Sequence, residues 1–147
     1  MKNPPLHSIE EYKEYMKAYD EFYHKRKAFS KRGSPKLDSQ FSENIAADYF
    51  DFNLDHKNGF DGHNSKGKSC EVKGTGYKNT RVGFTQNQIS ADHIYWVKAD
   101  EVNRMVNIQE IDLSKCVKKF NNNGCCFITL GSKNSQIKIK KTYNLKY

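Results

Sequence analysis

The sequence predicts a chain of mixed class, α/β in the broad sense and α+β in the order of its elements, with a central mixed β-sheet flanked by helices. Three observations carry this. Apolar residues recur at helical spacing over residues 8–28, and a second helical stretch ends at Phe50. From residue 57 the pattern changes to short strand-like runs broken by turn residues, the clearest being Ile94-Tyr95-Trp96-Val97 between Asp92 and Asp100. A length of 147 residues allows one domain with a real core and not two. The expected organisation is a single domain with a helical, basic N-terminal segment (1–38), a core (39–98) and a C-terminal helix and hairpin (99–147).

The first helix is expected over 8–28 because Ser8 and Glu11 fit a capping box. Its apolar positions are Ile9, Tyr12, Tyr15, Met16, Tyr19, Phe22 and Tyr23, read as a tyrosine-rich packing stripe. A basic stretch follows across the Gly33-Ser34-Pro35 break, with Lys25, Arg26, Lys27, Lys31, Arg32 and Lys36. It reads either as a phosphate-contacting segment or as a solvated surface. The second helix should begin at Ser39 or Phe41 and bury Phe41, Ile45, Ala46, Tyr49 and Phe50. Glu43 is expected in its first turn, where a negative side chain suits the positive helix end.

Gly59-Phe60-Asp61-Gly62 and Ser69–Lys73 are read as a first strand pair, turned by Asn64-Ser65-Lys66-Gly67. Arg81–Phe84 is a third strand, and Gln86 and Gln88 lie between it and the Ile94 strand. Amide side chains read base edges, and they also line ordinary loops. Beyond Asp100 the expectations are a strand over Val102–Ile108, a short lysine-faced helix over Asp112–Phe120 and a turn at Asn121–Gly124. A terminal hairpin of Cys125–Leu130 with Gln136–Lys140 about 131–134 completes the chain.

A net charge of +8, from 25 basic and 17 acidic residues, favours a polyanionic partner without saying anything about specificity. The hydrophobic fraction of 36% leaves a modest core that a partner or self-association would complete. No apolar run approaches the roughly 20 residues of a membrane span, and the N-terminus lacks the apolar segment of a secretory signal. The cysteines at 70, 116, 125 and 126 follow no zinc-site spacing and read as small buried hydrophobes of a reduced, cytoplasmic protein. Histidines 7, 24, 56, 63 and 93 are scattered, none with a convincing partner in the sequence; His63 stands out only as a neighbour of Asp61.

Within this frame Asp61 and Glu71-Val72-Lys73 carry the chemistry. Residues two apart on a strand share a face, so Glu71 and Lys73 point together while Cys70 and Val72 point away. The turn brings Asp61 alongside. Two carboxylates and an amine at one point hold a divalent cation and manage a water, as phosphodiester hydrolysis requires; they equally form a surface salt bridge on an edge strand. Glu11-Tyr12-Lys13 and Asp55-His56-Lys57 have the same acidic-x-Lys spacing, but the first lies on a helix and the second lacks a strand-like middle residue.

Asp61…Glu71-Val72-Lys73 resembles the active-site motif of the PD-(D/E)xK nuclease superfamily. With Gly59-Phe60-Asp61, Gly67 and Gly74 it resembles the hairpin of small type II restriction endonucleases of the PvuII-like group. Phe60 stands where the proline that names the superfamily would be. Phe41-Ser42-Glu43-Asn44-Ile45-Ala46-Ala47 resembles the helix that brings a further acidic residue to the metals in relatives. Gln86 or Gln88 and the Asp92-led strand also fit, so the resemblance covers residues 39–98. It implies a restriction-endonuclease-like core and Mg²⁺ held by Asp61, Glu71 and the Val72 carbonyl. It further implies that Lys73 orients or deprotonates the attacking water, that Glu43 reaches a second metal through water, and that the ends are 5′-phosphate and 3′-hydroxyl. The implied partner is double-stranded DNA cut at a specific sequence by a homodimer, with a cognate DNA methyltransferase encoded nearby. Lys31, Arg32, Lys36, Lys78, Arg81, Gln86 and Gln88 are expected to meet the DNA. A Holliday junction resolvase and a catalytically silent DNA-binding protein are the alternative expectations.

Overall fold

The computed structural model describes residues 3–31, 33–130 and 136–147. Arg32 and the tip of the expected terminal hairpin lie outside the described residues. The order of elements is α1 (Ile9–Arg26), α2 (Ser39–Phe50), β1 (Gly62–His63), β2 (Ser69–Thr75), β3 (Arg81–Thr85), α3 (Gln86–Ile89), β4 (His93–Asp100), β5 (Met105–Asp112), β6 (Cys125–Thr129) and β7 (Lys138–Lys146).

Five strands form one mixed sheet in the order β1-β2-β4-β5-β7. Only β2 and β4 run parallel, with Glu71 opposite Ile94 and Lys73 opposite Trp96. The other neighbours are antiparallel. The α+β class and the mixed sheet are as expected. Alternate residues of β4 serve the two faces: Tyr95, Val97 and Ala99 pack with α1 and α2 in one apolar cluster, while Ile94 and Trp96 pack in a second. That second cluster is covered by the ribbon of β3 and β6, through Val82, Phe84, Cys126 and Ile128. The molecule is therefore layered as helices, sheet and ribbon.

The first helix starts as its sequence requires, Ser8 and Glu11 forming the reciprocal capping box. Its buried stripe is Tyr12, Met16, Tyr19 and Tyr23, whereas Ile9 and Phe22 are exposed. The tyrosines end in polar contacts, as buried hydroxyls must. Tyr19 donates to the Pro35 carbonyl at 2.6 Å, and Tyr77 donates to Asp20 at 2.9 Å. Arg104 donates to the other oxygen of Asp20, also at 2.9 Å. Burial pushes the Asp20 carboxyl up, but these two donors outweigh it and hold the group below the usual carboxylate range. The end of α1, the end of β2 and the β4–β5 turn are thereby joined.

Several expectations are corrected. Glu43 is the fifth residue of α2 rather than a first-turn residue, because Asp38 caps the helix and starts it at Ser39. The segment Asp112–Phe120 is not helical: Asp112 accepts from the Ser114 amide at 2.8 Å, an Asx turn that competes with a helix start, and Val117 is left exposed. The expected third strand, β3, leaves the main sheet and pairs with β6, Phe84 opposite Cys126. Consequently the terminal hairpin does not form, and β7 pairs with β5 instead, Leu145 opposite Val106. In each case burial decides the pairing, since β6 covers Trp96 and β7 covers Val106 only in these positions. The strand expected from Val102 starts at Met105, after a turn in which Asp100 accepts from the Asn103 amide. No helix among the described residues is long and apolar enough to cross a membrane.

One close approach sets the height of α2 above the sheet. A Cβ at Gly74 would fall inside the contact distance of Ser42 on α2, so glycine is what lets helix and strand meet there. Gly74→Ala should lower stability by about 1–3 kcal/mol, the usual cost of overpacking, measured as a lower urea midpoint with an unchanged slope. An unchanged midpoint would mean that α2 is not seated on Gly74.

Candidate metal and catalytic site

The site is assembled from four short pieces of backbone. The Asn64–Gly67 turn closes as the sequence predicts: the Gly67 amide donates to the Asn64 carbonyl at 2.9 Å, and Gly67 takes a φ of +72°, which suits glycine. The turn returns the chain so that Gly62 pairs with Cys70. Asp61, one residue before β1, then reaches β2, where its carboxylate accepts from the Val72 amide at 2.8 Å. That bond fixes Asp61 beside the strand that bears Glu71 and Lys73.

On β2, Cys70 and Val72 belong to the helix-side cluster, and Glu71 and Lys73 share the other face. Lys73 Nζ lies 3.8 Å from Glu71 Oε2, with the Glu71 side chain only 4% exposed. Burial and the adjacent Asp61 charge push the Glu71 carboxyl up, to about 8, against the opposing pull of Lys73. Such a site keeps one proton or one cation between its carboxylates in preference to two bare charges.

The lysine is held from its other side. Gln88 Oε1 accepts from Lys73 Nζ at 3.2 Å and from the Thr85 amide at 2.9 Å. The second bond belongs to the Thr85–Gln88 capping box that starts the four-residue α3. Lys73 also sits 5.1 Å from the Phe84 ring centroid, a cation–π distance. Gln88 is thus a positioning residue for Lys73, where the sequence offered it as a base contact. Gln86 is exposed at the start of α3.

Glu43 comes from α2 and meets residues the sequence did not assign to the site. Ligand atoms of Glu43, His56 and Asp61 all lie within 4.8 Å of one another. His56 Nε2 is 3.3 Å from Glu43 Oε1. Burial first, then the charge of Asp61, pushes the Glu43 carboxyl up, with His56 pulling the other way. The expected ligand pair Asp61 and Glu71 is therefore a line of three carboxylates with Asp61 between the other two. The Val72 contact seen is its amide donating to Asp61. The expectation that the histidines lack partners is corrected, since all five pair with carboxylates: His7–Glu11 at 3.3 Å, His24–Asp20 at 3.4 Å, His56–Glu43 at 3.3 Å, His63–Asp55 at 2.9 Å and His93–Glu110 at 2.8 Å. A signal for His56 existed in its glycine- and asparagine-rich loop, but its partner Glu43 is distant in sequence.

The described basic residues expected at DNA come from the α1–α2 connection, the β2–β3 connection and the start of β3. Lys31 and Lys36 are exposed on the connection from α1 to α2, whose Ser34 hydroxyl donates to the Tyr77 carbonyl. Lys78 is thereby their neighbour across that bond, 4.0 Å from Glu101. The Arg81 guanidinium lies 4.2 Å from the Phe127 ring centroid.

A raised carboxyl has a consequence for stability. Glu71 is more easily protonated folded than unfolded, so its contribution is full below about pH 4.5 and is lost as the pH rises through about 8. Replacing it with an amide removes that loss. In metal-free protein, Glu71→Gln should match the wild type near pH 5 and exceed it near pH 9, by on the order of 1–3 kcal/mol in urea unfolding. A variant less stable at the higher pH would contradict the buried like-charge account.

No protein-family model matches this chain, and no curated protein matches it; what the site does is to be read from its own donors.

Proposed function

We propose that this chain is a divalent-cation-dependent endonuclease, hydrolysing phosphodiester bonds of double-stranded DNA at a specific sequence as a type II restriction enzyme of the PD-(D/E)xK superfamily. The observation that carries this reading is the convergence of Asp61, Glu71 and Lys73 at one point of a sheet edge. Asp61 is anchored by the Val72 amide and Lys73 stands 3.8 Å from Glu71. A structural salt bridge needs one carboxylate and one amine. A second carboxylate pressed against the first, and a third from α2, raise the electrostatic cost and need another cation to offset it.

The donor set fits such a cation. Glu43, Asp61 and Glu71 offer hard oxygen donors of the kind Mg²⁺ takes. When bound, the cation supplies Lewis acidity toward phosphate oxygens and a nucleophilic water at neutral pH. The chain's own residues supply the rest. Lys73, held between Glu71 and Gln88, neutralises charge that builds on the phosphoryl oxygens and orders the attacking water along its N–H directions. Gln88 prevents the ammonium from collapsing fully onto Glu71. Burial and the Asp61 charge favour the protonated form of Glu71, and a cation held there would favour its ionised form. The net charge of +8 supports a polyanionic substrate, with Lys31, Lys36, Lys78 and Arg81 as phosphate contacts. A homodimer would cut both strands.

The test is cleavage of long unmethylated duplex DNA with Mg²⁺, with a chelator control. Discrete fragments made only with the cation are expected, and sequencing their ends gives the site. Lys73→Ala should keep DNA binding in Mg²⁺ and lose turnover by on the order of 10²–10⁴-fold; Asp61→Ala should lose both cation affinity and cleavage. Cutting confined to four-way junctions would point to junction resolution. Retained cleavage by either variant, or DNA binding with no cleavage of any substrate, would end the proposal.

A further inference from the structure

Three donor atoms of two chemical kinds meet beside the loop that leads to Asp61. They are a carboxylate oxygen of Glu43, an imidazole nitrogen of His56 and a carboxylate oxygen of Asp61, all within 4.8 Å of one another. Opposite donors around an octahedral Mg²⁺ lie roughly 4.2 Å apart, since each bond is about 2.0–2.1 Å. The cluster thus has about the span of one coordination shell.

The loop backbone aims the imidazole there. The His56 amide donates to the Asp61 carbonyl at 3.1 Å, and the Phe60 amide to the Lys57 carbonyl at 3.1 Å, so the loop closes on itself. His56 has a φ of +51°, a conformation rarely taken by residues other than glycine and asparagine. Its side chain is 58% exposed, and its acidic contact is with Glu43 rather than with the neighbouring Asp55, which is bound to His63. An exposed histidine held between two partly buried carboxylates is arranged as a ligand with an open side toward solvent.

We infer that His56 is a nitrogen ligand of a cation held by Glu43 and Asp61, and that the site therefore selects Mn²⁺ over Mg²⁺. Mg²⁺ takes oxygen donors and gives up its water reluctantly. Imidazole favours first-row transition ions, while carboxylates favour hard ones, and Mn²⁺ accepts both. An all-oxygen site of Asp61, Glu71 and the Val72 carbonyl would show no nitrogen ligand. The inference rests on the proposed reading of Asp61 as a metal carboxylate, and not on what the metal is used for.

Binding is measured on the full chain without DNA, by titration calorimetry with MnCl₂ and with MgCl₂ and by electron spin echo modulation of bound Mn²⁺. The wild type should bind Mn²⁺ more tightly and show nitrogen modulation. His56→Gly, which suits the left-handed backbone, should weaken Mn²⁺ by about 10–100-fold, the range over which altered ligand shells act, and leave Mg²⁺ nearly unchanged. His56→Asn suits the same backbone and substitutes an oxygen donor; it should keep a cation but lose the nitrogen modulation and the preference. Equal affinities in the wild type, binding of neither cation, or nitrogen modulation surviving in His56→Gly would overturn the inference. Mn²⁺ bound through His56 in a protein that cuts no DNA would sink the nuclease proposal and leave this one standing. A Mg²⁺-dependent nuclease indifferent to His56→Gly would do the reverse.

Discussion

Two carboxylates held together at a sheet edge repel each other, and the arrangement around Asp61 and Glu71 is an answer to that repulsion. Glu71 is almost wholly withdrawn from water, so its charge is poorly solvated and its neighbour's field is felt strongly. Lys73 offsets part of this from the same strand face, and the Val72 amide stabilises Asp61 from the backbone. Neither removes the problem. A chain selected for stability alone would place an apolar residue at 71, as it does at 70 and 72. Retaining a carboxylate there costs stability, and the cost has a chemical use when a cation sits between the acids.

Each surrounding element holds one part of the arrangement in place. The β1–β2 hairpin delivers Asp61, and the Gly74–Ser42 contact seats α2 so that Glu43 reaches the same region. On the opposite face, β3 leads into α3, whose capping box doubles as the grip on Lys73. A capping glutamine that also accepts from the lysine links a local helix-start rule to the chemistry. The parallel β2–β4 pair beneath these residues is buried on both sides, which gives them a rigid base.

The legible parts of the molecule were those set by neighbours in sequence. The Ser8–Glu11 box, the alternation in Ser69–Lys73 and the Asn64–Gly67 turn are short-range, and they placed Asp61, Glu71 and Lys73 correctly relative to one another. His56 was missed because Asp55-His56-Lys57 looks like a chance acidic-x-Lys triplet. Its relation to Glu43 depends on left-handed residues at 56 and 58 and on how α2 sits above the sheet. The partners of β3 and β6 were illegible for a similar reason. Cys125–Leu130 alternates as any half-buried strand does, and nothing local distinguishes a partner across a short turn from one some 40 residues earlier. The lysines of 112–120 imitated a solvated helix face, while Asp112 and Ser114 were already committed to a turn.

The pairing of β3 with β6 also orders the assembly of the site in time. Chains are made from the N-terminus, and contacts between distant segments must wait for the later one and bear a larger loop-closure cost. All the acidic groups of the site, and Lys73 itself, have emerged long before Cys125–Thr129 exists to close the ribbon over Trp96 and Phe84. Until then the apolar cluster of Trp96 and Phe84 lacks its β6 residues, so the acids and the Gln88 grip on Lys73 are set by earlier segments and the layer beneath them is completed last.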